Sequence, residues 1–399
     1  MDNQTPASGK RVLIISVSAG AGHIKAAEAL EKTFRSDRRV AEVVNLDALQ
    51  YTNKLFRDFY SRFYDSLVKS APNFLGWWYK TSDEPWRTDT MRHMLDRLNT
   101  KPLVRFIQSY QPDITVCTHF MPAGIISHLI ARKQLEAHLS IVVTDYDMHA
   151  MWLSRAFHRY FVALDETRAY LQMLGLPEER ITVSGIPIDP VFTQRTDLRL
   201  AKLELGLNPE LPVLLLSAGA LGASQTEFMV ERLRSLSREV QTLVVCGKNA
   251  DLKQQIEQRV GHEPIRFRIM GYTNEMHRLM QAADLLISKP GGLTVSEALA
   301  CELPICIVNP IPGQEERNSD HLLEQGVAIK CNEPCTLPWK IERLLNDPER
   351  LMQMRRNTQR IAKPYAALTV VDTLIEDRLA PLALSRKQRE QMSNISGAE

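Results

Sequence analysis

Three times along 399 residues, a short run of Val, Leu and Ile ends in a glycine turn and passes straight into helix-forming sequence. The runs are Arg11-Val-Leu-Ile-Ile-Ser-Val17, Val213-Leu-Leu-Leu-Ser217 and Asp284-Leu-Leu-Ile-Ser288. The turns are Ser18-Ala-Gly-Ala-Gly22, Ala218-Gly-Ala-Leu-Gly222 and Pro290-Gly-Gly292. A strand with no apolar/polar alternation is buried on both faces, a condition met mainly in parallel sheets covered by helices. The recurrence in both halves of the chain predicts an α/β protein of two open units, whose ligands bind outside the carboxyl ends of the strands.

The third of these turns carries the most chemistry. Thr294 to Leu303 has the composition of a helix, so the N–H groups around Gly291 and Gly292 point toward an anion. Glu297 lies one turn further in, where a carboxylate can accept both hydroxyls of a ribose. Cys306-Ile-Val308 is the neighbouring strand, and Pro312-Gly-Gln-Glu-Glu-Arg-Asn318 after it presents Gln314 and Glu315 to a hexose ring. Glycine turns alone fit any α/β crossover; Glu297 and the Gln-Glu pair turn this one into a candidate nucleotide-sugar site. At the first turn, Gly20-x-Gly22 is followed at the third position by Lys25, so a dinucleotide fingerprint is incomplete, and Asp47 downstream does not repair it. The helix expected there, His23 to Phe34, is apolar at Ile24, Ala27, Leu30 and Phe34.

At this length a chain divides naturally into two domains, each able to bury its own core. A net charge of +2, with no basic run or zinc spacing, argues against a nucleic-acid binder. The six cysteines include no C-x-x-C pair and read as reduced packing thiols in a cytoplasmic protein. No apolar stretch reaches the ~20 residues a membrane span needs, so any lipid contact is peripheral. The boundaries read as a first domain over 10–187 with strands near 11–17, 41–46, 113–118, 139–144 and 159–163, a linker over 188–210, and a second domain over 211–360. A terminal helix at 361–380 and a disordered polar tail at 385–399 follow.

Taken together, the motifs resemble the diacylglycerol glycosyltransferases, that is, the bacterial processive glucosyltransferases and the plant monogalactosyldiacylglycerol synthases. The resemblance runs in order from Ser18-Ala-Gly-Ala-Gly-His23-Ile-Lys-Ala-Ala27 through Thr118-His119, Thr144-Asp145-Tyr146-x-x-His149-x-x-Trp152, Phe161-Val-Ala163, Ser184-Gly-Ile-Pro-Ile188 and Gly271-Tyr-Thr-Asn-Glu-Met276 to the two C-terminal segments above. It implies the GT-B arrangement, two Rossmann-like domains facing across a cleft, with the terminal helix returning to the first. It also implies inverting transfer of a hexose from UDP-glucose or UDP-galactose to diacylglycerol.

Under that resemblance His23 is the base, and an imidazole with an ordinary pKa of ~6.5 is largely neutral at pH 7 as the task requires. Asp145 is a competing base, the partner that orients the ring, or simply a helix cap. Gly219, Gly222, Gly291 and Gly292 offer N–H groups to the diphosphate, Gly271 and Tyr272 flank the uracil, and Lys289, Thr294, Glu297, Gln314, Glu315 and Asn318 complete the donor site. Such sites work without a metal. Asp145-Tyr-Asp147 spells a D-x-D metal motif, but it lies away from the nucleotide motifs and reads as chance. Gly22, His119, His149 and Trp152 fall on the acceptor side.

Residues 51–110 carry an aromatic stripe (Phe56, Phe59, Tyr60, Phe63, Tyr64, Leu67) and the pair Trp77-Trp78, with ten Lys/Arg against six Asp/Glu. The stripe alone fits a core face. With its basic surplus, the segment is expected to meet an anionic lipid surface on the inner face of the cell membrane. A UDP-sugar sensor without turnover, or a transferase for another lipid, are the competing readings.

Overall fold

The computed structural model describes residues 9–18, 21–51, 83, 101–218, 221–261, 263 and 266–396. Gly219, Trp77, Trp78 and the aromatic stripe lie outside the described residues. The chain divides into two compact units, one of Met1–Pro190, Pro312–Gln314 and Tyr365–Glu399, the other of Val191–Ile311 and Glu315–Pro364.

The first unit is built on the strands β1 (Lys10–Ser16), β2 (Val40–Asp47), β3 (Ile114–Cys117), β4 (Leu139–Val142), β6 (Arg159–Val162) and β7 (Ile181–Val183), in the order β2-β1-β3-β4-β6-β7. Every neighbouring pair is parallel. β1 shows why the sequence folds this way. Its side chains alternate across the sheet: Leu13 and Ile15 enter one core with Ile126, Ile141 and Trp152, while Val12 and Ile14 enter the other with Ala27, Leu30 and Phe34. Both faces are buried, so the strand carries no polar residue between Val12 and Ile15, and each of these side chains stabilises the fold by ~1.5–3 kcal/mol.

The second unit repeats the plan with β8 (Val213–Ser217), β9 (Gln241–Val245), β10 (Phe267–Met270), β11 (Leu285–Ser288), β12 (Ile305–Val308) and β13 (Ala328–Cys331), ordered β10-β9-β8-β11-β12-β13 and parallel throughout. In each sheet the winding direction reverses once, between β1 and β3 in the first and between β8 and β11 in the second. The crevice outside such a reversal is where open α/β sheets bind ligands.

Three stretches between or after the sheets differ from their reading in the sequence. Residues 191–210, read within a linker, belong to the second unit. Helix Leu198–Glu204 buries Lys202, whose Nζ lies 2.7 Å from Asp284 and donates to the Leu211 carbonyl at 2.9 Å. A buried ion pair satisfied on this scale is core architecture, although proline and charge had marked the stretch as a connection. The helix read over 361–380 is shorter, Ala366–Glu376, and is separate from Pro348–Ile361, which ends before Pro364. A proline disfavours helical geometry in the residue before it, which sets the break. Beyond it Ala367, Val370, Val371 and Leu374 join the first unit's core beside β1 and the helix Ala21–Arg35.

The tail read as disordered over 385–399 forms the helix Arg386–Ser396, and Met392 is buried with Leu384 in the first unit's core. Ser385 and Gln388 explain its start. The Ser385 backbone N–H donates to Gln388 Oε1 at 2.9 Å and the Gln388 N–H donates to Ser385 Oγ at 3.3 Å, a reciprocal capping box. Just before it, β14 (Leu382–Ala383) pairs antiparallel with β5 (Ala156–Phe157).

Candidate active site

His23 is the third residue of the helix Ala21–Arg35, which leaves β1 at the sheet reversal. Its Nδ1 lies 3.0 Å from the Thr118 carbonyl oxygen and 2.7 Å from Thr144 Oγ1. A carbonyl only accepts, so the neutral ring carries its proton on Nδ1 and keeps its basic lone pair on Nε2. Thr118 follows β3 and Thr144 follows β4, so three successive strands of the sheet supply one ring and its two holders. The clamp is reciprocal, because Thr118 Oγ1 donates to the His23 carbonyl at 3.0 Å. Burial holds the imidazole down to about 4 against the usual 6.5, with the Thr118 hydrogen bond pulling the other way. The ring is only partly exposed, and its edges meet His119 at 4.5 Å and Trp152 at 6.3 Å between centroids.

His119 and His149 share a different job. Each accepts a backbone N–H on Nδ1, from Met121 at 3.0 Å and Met151 at 3.1 Å, and so caps the helical turn that follows it. An Nδ1 that accepts leaves the proton on Nε2, the tautomer opposite to that of His23. Burial, and then the neighbouring His23, hold His119 well below 6.5. His149 Nε2 lies 3.7 Å from Asp83 Oδ1. Trp152 is 2% exposed and packs on Phe120 at 5.9 Å; it is part of the core that backs the histidines. Gly22 precedes His23 in the helix. Asp145 is buried in the loop after β4. Sequence offered Asp145 to orient His23, whereas the oxygens on Nδ1 are those of Thr118 and Thr144.

In the second unit the reversal brings two glycine-capped helices side by side. Gly222 is the N-cap of Ala223–Arg234 after β8, and Gly291 is the N-cap of Gly292–Ala300 after β11. Neither cap contributes a side-chain hydrogen bond, so the first N–H groups of each helix stay available to an anion. Both caps have φ near −64°, at −63° and −65°, which any residue adopts. A Cβ on Gly222 would meet nothing within 4 Å, and one on Gly291 only Glu315 Oε1 at 3.9 Å. The fold itself therefore does not demand glycine there.

Thr294 and Glu297 are the third and sixth residues of Gly292–Ala300, both half-buried. Gln314 and Glu315 open the helix Gln314–Glu324 after Gly313, whose φ of 95° lies in the left-handed region. Glu315 accepts the Ile311 N–H at 2.6 Å. Burial raises its pKa, against the pull of that hydrogen bond and of Lys289. Asn318 is 1% exposed and donates to the Pro290 carbonyl at 3.0 Å, pinning the glycine turn to this helix. Tyr272, after Gly271 at the end of β10, is 52% exposed and offers a flat ring, with Lys248 Nζ 5.6 Å from its centroid. Lys248 was not singled out in the sequence; it lies in the loop after β9, the strand beside β10, an adjacency only the sheet order reveals.

Known proteins share the sequence pattern and the fold. Residues 23–188 match the family profile described as monogalactosyldiacylglycerol (MGDG) synthase, and residues 206–361 match that described as glycosyl transferases group 1. Among solved structures, Acinetobacter baumannii MurG superposes with a TM-score of 0.58 at 16% identity, covering 92% of this chain and 99% of that one. Anabaena Alr3699/HepE in complex with UDP and glucose gives 0.53 at 13% identity, covering 92% and 99%. The chain thus has the fold of the GT-B glycosyltransferases. A processive diacylglycerol beta-glucosyltransferase of Bacillus thuringiensis (strain Al Hakam) is 29% identical over 385 residues, covering 92% of this chain and 94% of the relative. One of the same description from Bacillus pumilus (strain SAFR-032) is 28% identical, covering 92% and 95%. Over most of its length the chain is thus similar to the diacylglycerol glycosyltransferases.

Proposed function

We propose that this protein transfers a hexose from a UDP-sugar to the free hydroxyl of diacylglycerol, with inversion at the anomeric carbon. The observation that carries the reading is the presence in one chain of a neutral, clamped histidine at the sheet reversal of the first unit and two glycine-capped helix N-termini at that of the second. His23 Nε2 takes the acceptor's hydroxyl proton as that oxygen bonds the anomeric carbon. The bond from that carbon to the β-phosphate oxygen breaks, and its electron pair leaves on UDP. General-base assistance of this kind is typically worth about 10²–10⁴ in rate. The charge gathering on the diphosphate is met by the N–H groups after Gly291 and Gly222 together with Lys289, with no metal in the scheme. Glu297 accepts the ribose hydroxyls, Tyr272 stacks on the uracil, and Gln314 and Glu315 hold the hexose.

UDP-glucose is the first donor to test, because the full-length relatives are named glucosyltransferases. No helix among the described residues is long and apolar enough to cross a membrane. In this reading the protein meets its lipid at the surface of an anionic membrane, on its inner face, through the basic, aromatic segment 51–110 and Trp77-Trp78. The test is incubation with liposomes containing diacylglycerol and labelled UDP-glucose or UDP-galactose, followed by lipid chromatography. Labelled glycolipid from one donor is expected. UDP binding without labelled lipid from either donor would leave the sensor reading in its place.

A further inference from the structure

We propose that Thr144 is a positioning residue for the His23 base, acting through its hydroxyl on the Nδ1 side of the imidazole. The inference rests on the transfer reaction proposed above. Thr144 Oγ1 is 2.7 Å from His23 Nδ1 but 3.5 Å from the Thr118 carbonyl. The second distance is at the outer limit of a hydrogen bond and the first is short, so the hydroxyl is aimed at the ring. Thr144 is 5% exposed and Thr118 0%. Among the described residues no carboxylate is bonded to His23; its side-chain partners are the two oxygens of Thr118 and Thr144.

The chemical consequence appears when the base does its work. Nε2 receives the acceptor's proton and the ring becomes an imidazolium in a largely desolvated place. Its Nδ1–H is then a charged donor, and hydrogen bonds to charged groups are stronger than those made by the neutral ring. An oxygen on Nδ1 therefore contributes more in the transition state than before it, which is the condition for raising kcat rather than binding. The Thr118 carbonyl sets the tautomer. The Thr144 hydroxyl adds a second acceptor, which leans back on that carbonyl through its own proton.

The experiment compares Thr144→Val, which keeps the shape and removes the hydroxyl, with Thr144→Ser, each alone and combined with His23→Ala. Thr144→Val is expected to lower kcat by about tenfold or more, with the donor KM within about twofold of wild type. Thr144→Ser should recover most of the loss. In the His23→Ala background Thr144→Val should cost less than about twofold, because the residue it serves is gone. Near-normal kcat in Thr144→Val, failure of Ser to rescue, or an undiminished loss in the double variant would each overturn the proposal.

A second readout does not depend on turnover. In nitrogen-15 spectra of the His23 ring, wild type should show a protonated Nδ1 with a downfield proton, and Thr144→Val should move that proton upfield. An unchanged resonance would overturn the role of Thr144 even if wild type proved inactive on diacylglycerol. Inactivity of wild type alone, with the shift seen, would count against the acceptor and spare the clamp.

Discussion

The two sheets reverse direction in the same way and offer a ligand opposite things. At the first reversal the crevice is lined by side chains: His23 held by Thr118 and Thr144, with His119 edge-on at 4.5 Å. At the second it is lined by backbone, where two glycine caps leave helix N-termini bare. A buried imidazole suits the movement of one proton, and its basicity is set by desolvation. Fixed N–H dipoles suit a diphosphate, whose charge is present before, during and after reaction. In the proposed reading, one architecture separates proton chemistry from anion binding by choosing either a side chain or no side chain at the same structural position.

If that division is real, variants in the two units should fail in different ways. The largest effect belongs to the base. His23→Ala should lower kcat by about 10²–10⁴, while UDP affinity by calorimetry stays near wild type. Comparable damage to both constants would mean the reversals do not divide the work. Second comes Glu297→Ala, which removes charge-assisted hydrogen bonds of about 1.5–3 kcal/mol each and should weaken UDP at least about tenfold. Unchanged UDP affinity in a folded variant would remove Glu297 from the nucleotide site.

Gly291→Ala sharpens the comparison further. Because φ at Gly291 is −65° and the nearest atom to an added Cβ is 3.9 Å away, the fold should tolerate it, with the melting temperature equal or slightly higher. UDP binding should nevertheless weaken severalfold as the methyl group meets the ligand. A drop in melting temperature with unaltered UDP affinity would assign the glycine to packing.

The physical basis of this division also explains what could be read from the sequence. β1, β8 and β11 are central strands buried on both faces, so they appear as unbroken apolar runs ending in glycine. β7 and β13, at sheet edges with half-exposed residues, carry too little apolar sequence to stand out, and neither was foreseen. His23 was legible because it abuts a glycine turn. The clamping role of Thr118 and Thr144 was not, since it exists only where parallel strands from 95 and 121 residues away arrive beside the helix. The tail shows a different limit. Its composition is polar, yet Ser385 with Gln388 is a helix start signal, and one buried methionine is enough to dock the helix.

The smallest expected effect is on the pH profile, and it distinguishes a buried base from an ordinary histidine. Burial places the His23 transition at about 4 rather than 6.5, so the base form is complete at pH 7 and still dominant at pH 5.5. Between these values kcat/KM should therefore fall by less than about twofold, whereas a histidine titrating at ~6.5 would lose roughly tenfold. Stability moves the other way from an ion-paired histidine. A pKa lowered by folding means the unfolded chain binds the proton more readily, so stability is lost as pH falls from about 6.5 toward about 4. His119, His138 and His158 are shifted in the same direction by burial and add to that loss. Circular dichroism at each pH separates the two effects. An acid limb near 6.5 in protein that remains folded would show that the base is solvated, and would remove the contrast between the two reversals on which its assignment rests.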